Sequence, residues 1–287
     1  MKRIIKIIIA LLIIIVLCFI GMKLYVNHNK NAFQIPVLMY HDVLLDDHYK
    51  GEDDTISISM FKEQLQYLKD NNYKTLTLEE FYDYVVNNKK IPQKSVLLTF
   101  DDGFYSFHYL VEPLLEEYNM HAVCFVIGEA TKASTPEYDP NKYGTIGKDL
   151  ISNHSEYVEY GSHSYGLHKE VNGQKMIDTL SKEKLKEELN NVKEIADFKY
   201  MSYPFNTDTP EIRELLKEYN YKLAFRGEKE QVLRNVNQYQ IPRIGTKSDF
   251  KEFKEIFESD YYKNRYGNGI IRKVMITIER KLGKRLF

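Results

Sequence analysis

Short apolar runs alternate along this chain with longer stretches that are apolar at helical spacing. Residues 36–41 (PVLMYH), 95–100 (SVLLTF), 121–127 (HAVCFVI), 157–161 (YVEYG), 200–205 (YMSYPF), 221–226 (YKLAFR) and 240–244 (QIPRI) each predict a short buried strand. Between them, residues 59–73 place Phe61, Leu65 and Leu68 on one helical face. Thr77 and Glu80 have capping-box spacing and open a helix to about residue 88. Further helices are expected at 107–119, 181–196 and 248–258, and one starts at Thr209 with Pro210 at its first position. Residues 42–57 and 129–150 are polar and irregular, and predict loops. Strands alternating with helices predict an α/β fold, either a parallel sheet or a barrel.

The N-terminus follows a different pattern. Residues 7–22 are sixteen consecutive positions without a charge, and apolar residues at 4–5 and 24–26 lengthen the run. That is enough for a bilayer, which needs roughly 17–25 residues. No A-x-A-like cleavage site follows, and Val16-Leu17 before Cys18 lacks the small residue of a lipoprotein site, so residues 1–26 are expected to be an uncleaved transmembrane anchor. Lys2, Arg3 and Lys6 would hold the N-terminus in the cytoplasm and place the rest of the chain outside. Residues 27–34 then form a tether, 35–260 a single catalytic domain and 261–287 a basic helical tail. Net charge is −1, from 40 Lys+Arg against 41 Asp+Glu, which speaks against a nucleic-acid partner. The two cysteines, Cys18 in the apolar run and Cys124 in a predicted strand, are not placed to pair.

In parallel α/β folds, sites gather at the carboxyl ends of the strands. Those ends carry His41-Asp42, Asp101-Asp102-Gly103, Ser162-His163 with His168 beyond, Pro204-Phe205-Asn206 and Arg243. Each is a weak signal alone, since a lone histidine is more often a hydrogen-bonded surface or core residue and Asp-Asp-Gly is usually a turn. Together they mark one rim. Two adjacent carboxylates cannot both stay ionised cheaply unless a cation joins them. A metal resolves this if one aspartate ligates it and the other stays free as a base. Two imidazoles and a carboxylate are a common catalytic zinc set. His163 and His168 are five apart, a spacing that fits a strand end and its loop rather than one helix face.

Thr99-Phe100-Asp101-Asp102-Gly103 and Gly161-Ser-His163-Ser-Tyr165-Gly-Leu-His168 resemble the metal-binding motifs of the polysaccharide deacetylases, the NodB-homology or carbohydrate esterase 4 group. Tyr203-Pro204-Phe205-Asn206 is similar to a degenerate Pro-Tyr-Gly motif of that family. The five-residue histidine spacing resembles the biofilm branch, the poly-β-1,6-N-acetylglucosamine (GlcNAc) N-deacetylases, in which the motif order is circularly permuted. Most members carry a late Leu-x-x-His-like motif, whereas here no histidine follows His168 and His41 sits at the first strand instead. The family's usual arginine before the Pro-Tyr-Gly strand is also missing, with Arg243 as the expected substitute.

The resemblance implies a deformed (β/α) barrel of about seven strands. It implies that Asp102, His163 and His168 hold a divalent metal, zinc first, with cobalt, nickel and iron as alternatives. By the same resemblance Asp101 is the base, oriented by Arg243. His41 is the acid, and the backbone N–H of Phe205 holds the oxyanion. Tyr203 and Tyr165 are expected to contact substrate. The implied reaction is removal of acetyl groups from an extracellular GlcNAc polymer, with acetate as product. Two other readings stay open: a peptidoglycan or chitooligosaccharide deacetylase, and an inactive sugar-binding surface protein.

Overall fold

A computed structural model of the chain describes residues 20–21, 34–52, 54–227, 231–233, 236–246, 248–257, 274 and 277. The expected anchor, tether and basic tail fall almost wholly outside the described residues. No described helix is long and apolar enough to cross a membrane.

Ile35–Phe253 form one compact unit. At its centre are seven strands: β1 (Val37–Tyr40), β2 (Ser95–Phe100), β3 (Ala122–Val126), β4 (Val158–Ser162), β5 (Tyr200–Ser202), β6 (Leu223–Gly227) and β7 (Ile241–Gly245). All neighbouring pairs are parallel, and each strand lies beside its sequence neighbour. The one non-sequential pairing is that of β7 with β1. β1 closes the ring, pairing with β7 through Ile244 and Leu38 and with β2 through Leu38 and Leu98. A two-residue strand, Lys74–Thr75, adds to the outer edge of β2.

Closure explains the uninterrupted apolar runs. With side chains packed on both faces, every residue of β2 and β3 is buried. Tyr40 stacks on Phe100 with ring centroids 4.8 Å apart, and Phe61 meets Phe100 edge-on at 5.7 Å. Phe61 comes from α1 (Ile58–Asp70), which buries the Phe61, Leu65 and Leu68 stripe. α2 (Leu78–Val85) starts at the capping box: Thr77 accepts from the Glu80 amide, and the Glu80 side chain accepts from the Thr77 amide.

Four local features depart from expectation. The 107–119 helix begins as π-helix over Phe107–Val111 and becomes α3 only at Glu112–Tyr118. Pro113 has no amide hydrogen to continue the i→i−4 ladder, and the wider turns precede it. The loop at 42–57 contains two short parallel strands, Asp42–Leu44 and Thr55–Ser57. The 129–150 segment is bolted down by a helix, Lys148–Ser152, and by a bridge from Thr145 to Phe104. The expected strand at 200–205 stops at Ser202, because Phe205 and Asn206 turn left-handed at φ 53° and 56°.

Gly161 in β4 has no room for a side chain. A β-carbon there would stand 2.5 Å from the Phe125 ring and 3.0 Å from the Tyr200 carbonyl oxygen. Gly161→Ala is therefore expected to cost about 1–3 kcal/mol by overpacking, read as a lower midpoint in chemical denaturation.

Candidate metal centre and active site

Asp101 and Asp102 follow β2 directly, and they point to different partners. Asp101 is buried, and its amide donates to the Tyr40 carbonyl across the β1–β2 pair. Arg243, buried in β7, donates to it through both arms: Nη1 to Oδ1 at 2.8 Å and Nη2 to Oδ2 at 2.6 Å. The Ser202 hydroxyl donates to Asp101 Oδ2 at 3.2 Å. Burial alone would raise the Asp101 pKa, but the Arg243 charge, with His163 and the hydrogen bonds, overcomes it and holds the carboxyl well below the usual carboxylate range. The guanidinium is itself positioned by Thr99 Oγ1 at 3.2 Å, Ser202 Oγ at 2.8 Å and Asn206 Oδ1 at 3.2 Å.

Asp102 takes the opposite course. Its backbone is left-handed at φ 70°, which turns the side chain away from Asp101. Burial, and then the neighbouring Asp101 charge, raise its pKa. Its Oδ1 is buried without a hydrogen-bond partner. Two imidazole nitrogens face that oxygen, His163 Nε2 at 3.4 Å and His168 Nε2 at 3.6 Å. Ligands about 2.1 Å from a tetrahedral zinc stand about 3.4 Å from one another. An orphaned carboxylate oxygen and two imidazole nitrogens at that separation fit a divalent cation.

The loop after β4 explains the five-residue spacing. Ser164 is left-handed at φ 67°, and its hydroxyl accepts from the Leu167 amide, closing a tight turn. The turn is tied down by Gly128 N donating to Ser164 O and Gly166 N to Glu188 Oε2. His168 is thereby returned to His163, with ring centroids 5.1 Å apart. His163 Nδ1 donates to the Ser202 carbonyl at 2.9 Å, which leaves Nε2 with a free lone pair. Burial lowers the His163 pKa to about 4 and lowers that of His168, so both imidazoles are neutral at neutral pH.

His41 ends β1 on the same rim, 19% exposed, with Nδ1 4.0 Å from Asp54 Oδ1. A protonated His41 would act electrostatically on both Asp101 and Asp102. The Phe205 ring stacks on His168 at 4.4 Å. Tyr165 is half-buried and packs over Gly128, where a β-carbon would strike its ring at 2.7 Å. Tyr203 does not meet its expected role as a substrate contact. It is completely buried, and its hydroxyl donates to the Tyr239 carbonyl at 3.0 Å, on the side opposite Ser202, whose hydroxyl meets Asp101 and Arg243.

The sequence assigned no role to Ser202 or to Asn206. Ser202 links both halves of the site, with its hydroxyl between Asp101 and Arg243 and its carbonyl on His163. Asn206 fits because residue 227 is glycine; a β-carbon there would lie 2.4 Å from the Asn206 amide carbon. Asn206 already stood at the end of the 200–205 run, and Ser202 within it, but neither carried a role in the sequence.

Residues 88–224 match the family model for polysaccharide deacetylase. The chain carries a polysaccharide deacetylase domain, and with it the class of hydrolases that act on carbon–nitrogen bonds other than peptide bonds. A poly-β-1,6-N-acetyl-D-glucosamine N-deacetylase of Staphylococcus aureus is 26% identical over 199 residues, spanning 66% of this chain and 67% of that protein. Two solved structures share the fold. The deacetylase PplD of Streptococcus pyogenes aligns with TM-score 0.65 and 21% identity, covering 76% of this chain and 94% of that one. IcaB from Ammonifex degensii aligns with TM-score 0.64 and 24% identity, covering 78% and 95%.

Two substitutions separate the halves of the site. His163→Ala is expected to abolish stoichiometric zinc binding, measured by metal analysis after dialysis, since a three-ligand site has no spare donor. Arg243→Met should keep the three metal-facing groups but leave Asp101 buried and unpaired. Breaking a buried pair from one side costs about 3–5 kcal/mol, which chemical denaturation would register.

Proposed function

We propose that this domain is a metal-dependent N-deacetylase of an extracellular GlcNAc polymer, poly-β-1,6-GlcNAc first, releasing acetate. The observation that carries the reading is the triangle of Asp102 Oδ1, His163 Nε2 and His168 Nε2 beside an Arg243-held Asp101. A divalent cation bound by Asp102, His163 and His168 would polarise the acetamide carbonyl and acidify the attacking water. Asp101 stays ionised at neutral pH and accepts that water's proton. Being a weak base beside Arg243, it returns the proton to solvent once acetate has formed. The left-handed turn at Phe205 supports its backbone N–H as a donor to the oxyanion. His41, across the rim, protonates the leaving amine. The β-1,6 linkage rests on the Staphylococcus aureus relative's name, the histidine spacing and the early position of His41. The charge-free run at 7–22 with Lys2, Arg3 and Lys6 before it supports a membrane-anchored domain facing outward, where such a polymer lies.

Acetate release from β-1,6-linked GlcNAc oligomers, compared with chitooligomers and with chelator-treated protein, tests the proposal. A preference for the β-1,6 series that depends on metal is expected. Higher activity on chitooligomers would reassign the polymer, and no release from either would remove the deacetylase reading. His41→Ala should retain metal and lower kcat by roughly 10²–10⁴-fold, the usual contribution of a positioned acid. Near-normal kcat in that variant would take His41 out of the reaction.

A further inference from the structure

Tyr143 is the most exposed large apolar side chain among the described residues, at 71%. Its surroundings are rigid rather than loose. The Phe104 ring meets it edge-on, with centroids 5.5 Å apart. Phe104 lies two residues after Asp102, so the two α-carbons are within about 7 Å by chain length alone. Backbone bonds lock the Tyr143 segment onto the same turn: Ile146 N to Gly103 O at 2.8 Å and Tyr105 N to Gly144 O at 2.9 Å. Below it, the Tyr105 hydroxyl donates to the Lys142 carbonyl at 2.7 Å. A side chain on Gly144 would strike the Tyr105 ring at 2.5 Å, so the close packing is built in.

Both rings, of Phe104 and Tyr143, therefore belong to the turn that carries Asp102 and Gly103 at the rim. Anchoring this segment while leaving most of the aromatic ring in water gains the fold little, since the apolar area stays exposed. Such a ring suits a ligand with its own apolar face, and the carbon–hydrogen face of a pyranose is one.

We infer that Tyr143, backed by Phe104, is a stacking platform for a sugar unit next to the one being deacetylated. This rests on the reading above and deepens it: the enzyme would recognise a chain of hexosamine units rather than a single one. Tyr143 takes no part in the chemical step.

The test compares Tyr143→Ala and Tyr143→Phe with the unaltered protein, all metal-loaded. The substrates are GlcNAc dimers and pentamers in the β-1,6 and β-1,4 series, together with a chromogenic acetyl ester that carries no sugar. Loss of one aromatic contact of roughly 1.4 kcal/mol corresponds to tenfold. Tyr143→Ala is therefore expected to lower kcat/KM on the pentamer about tenfold, through KM, and to erase most of the gain from dimer to pentamer. Ester hydrolysis should stay within twofold, and Tyr143→Phe should behave like the unaltered protein on every substrate. An unchanged pentamer preference in Tyr143→Ala, or an equal loss on ester and pentamer, would overturn the platform while leaving the deacetylase reading in place. If the unaltered protein hydrolyses the ester but neither pentamer, the polymer reading fails and the platform fails with it.

Discussion

Two carboxylates in consecutive positions at the end of a buried strand set the terms for everything around them. The fold resolves their repulsion by giving Arg243 to one of them. The bidentate bond from Arg243 to Asp101 fixes a permanent negative charge beside Asp102. Asp102 is then left with a carboxylate oxygen that has no hydrogen-bond partner and faces two neutral imidazoles. A buried ion pair of this kind is a poor source of stability, because desolvation consumes most of the attraction. Its worth here is in orientation: it decides which aspartate is available for a cation.

The same economy runs through the supporting residues. Ser202 spans both halves of the site, with its hydroxyl on the Arg243–Asp101 pair and its carbonyl setting the tautomer of His163. Asn206 reaches Arg243 only because Gly227 makes space for it. Rigid strands thus hold the charged pair, while the left-handed turns at Asp102, Ser164 and Phe205 aim the groups that would meet metal and substrate. With Asn206, four non-glycine residues in that conformation around one rim are concentrated where side-chain direction matters most.

Much of this was legible in the chain because parallel barrels force simple patterns. Seven strands buried on both faces must read as apolar runs, and all seven observed strands fall on or within a residue of those runs. Arg243 could be placed on the rim from its strand position alone. What stayed illegible depended on backbone conformation and on contacts distant in sequence. Nothing in the local pattern shows that Phe205 turns left-handed, and the resemblance that offered Tyr203 to substrate carries no sign of its bond to the Tyr239 carbonyl. The contacts of Ser202 join residues 39 to 101 positions apart, which no local spacing reveals. The strands within 42–57 were hidden because they are three residues each, too short to show a period inside a polar stretch.

The order in which the barrel closes has a consequence for how the protein comes into being. Its last strand, β7, pairs with its first, β1, and carries the arginine that meets Asp101 from 142 residues away. Any chain that has grown only as far as β6 holds both aspartates and all three rim histidines, yet the ring is open and Asp101 has no counter-charge. Pairings of such long sequence separation are slow to form, since the entropy of closing the intervening loop is lost before the contacts compensate. Closing the ring and completing the charged half of the site are therefore one event: until β7 docks, Asp101 lacks the guanidinium that positions it.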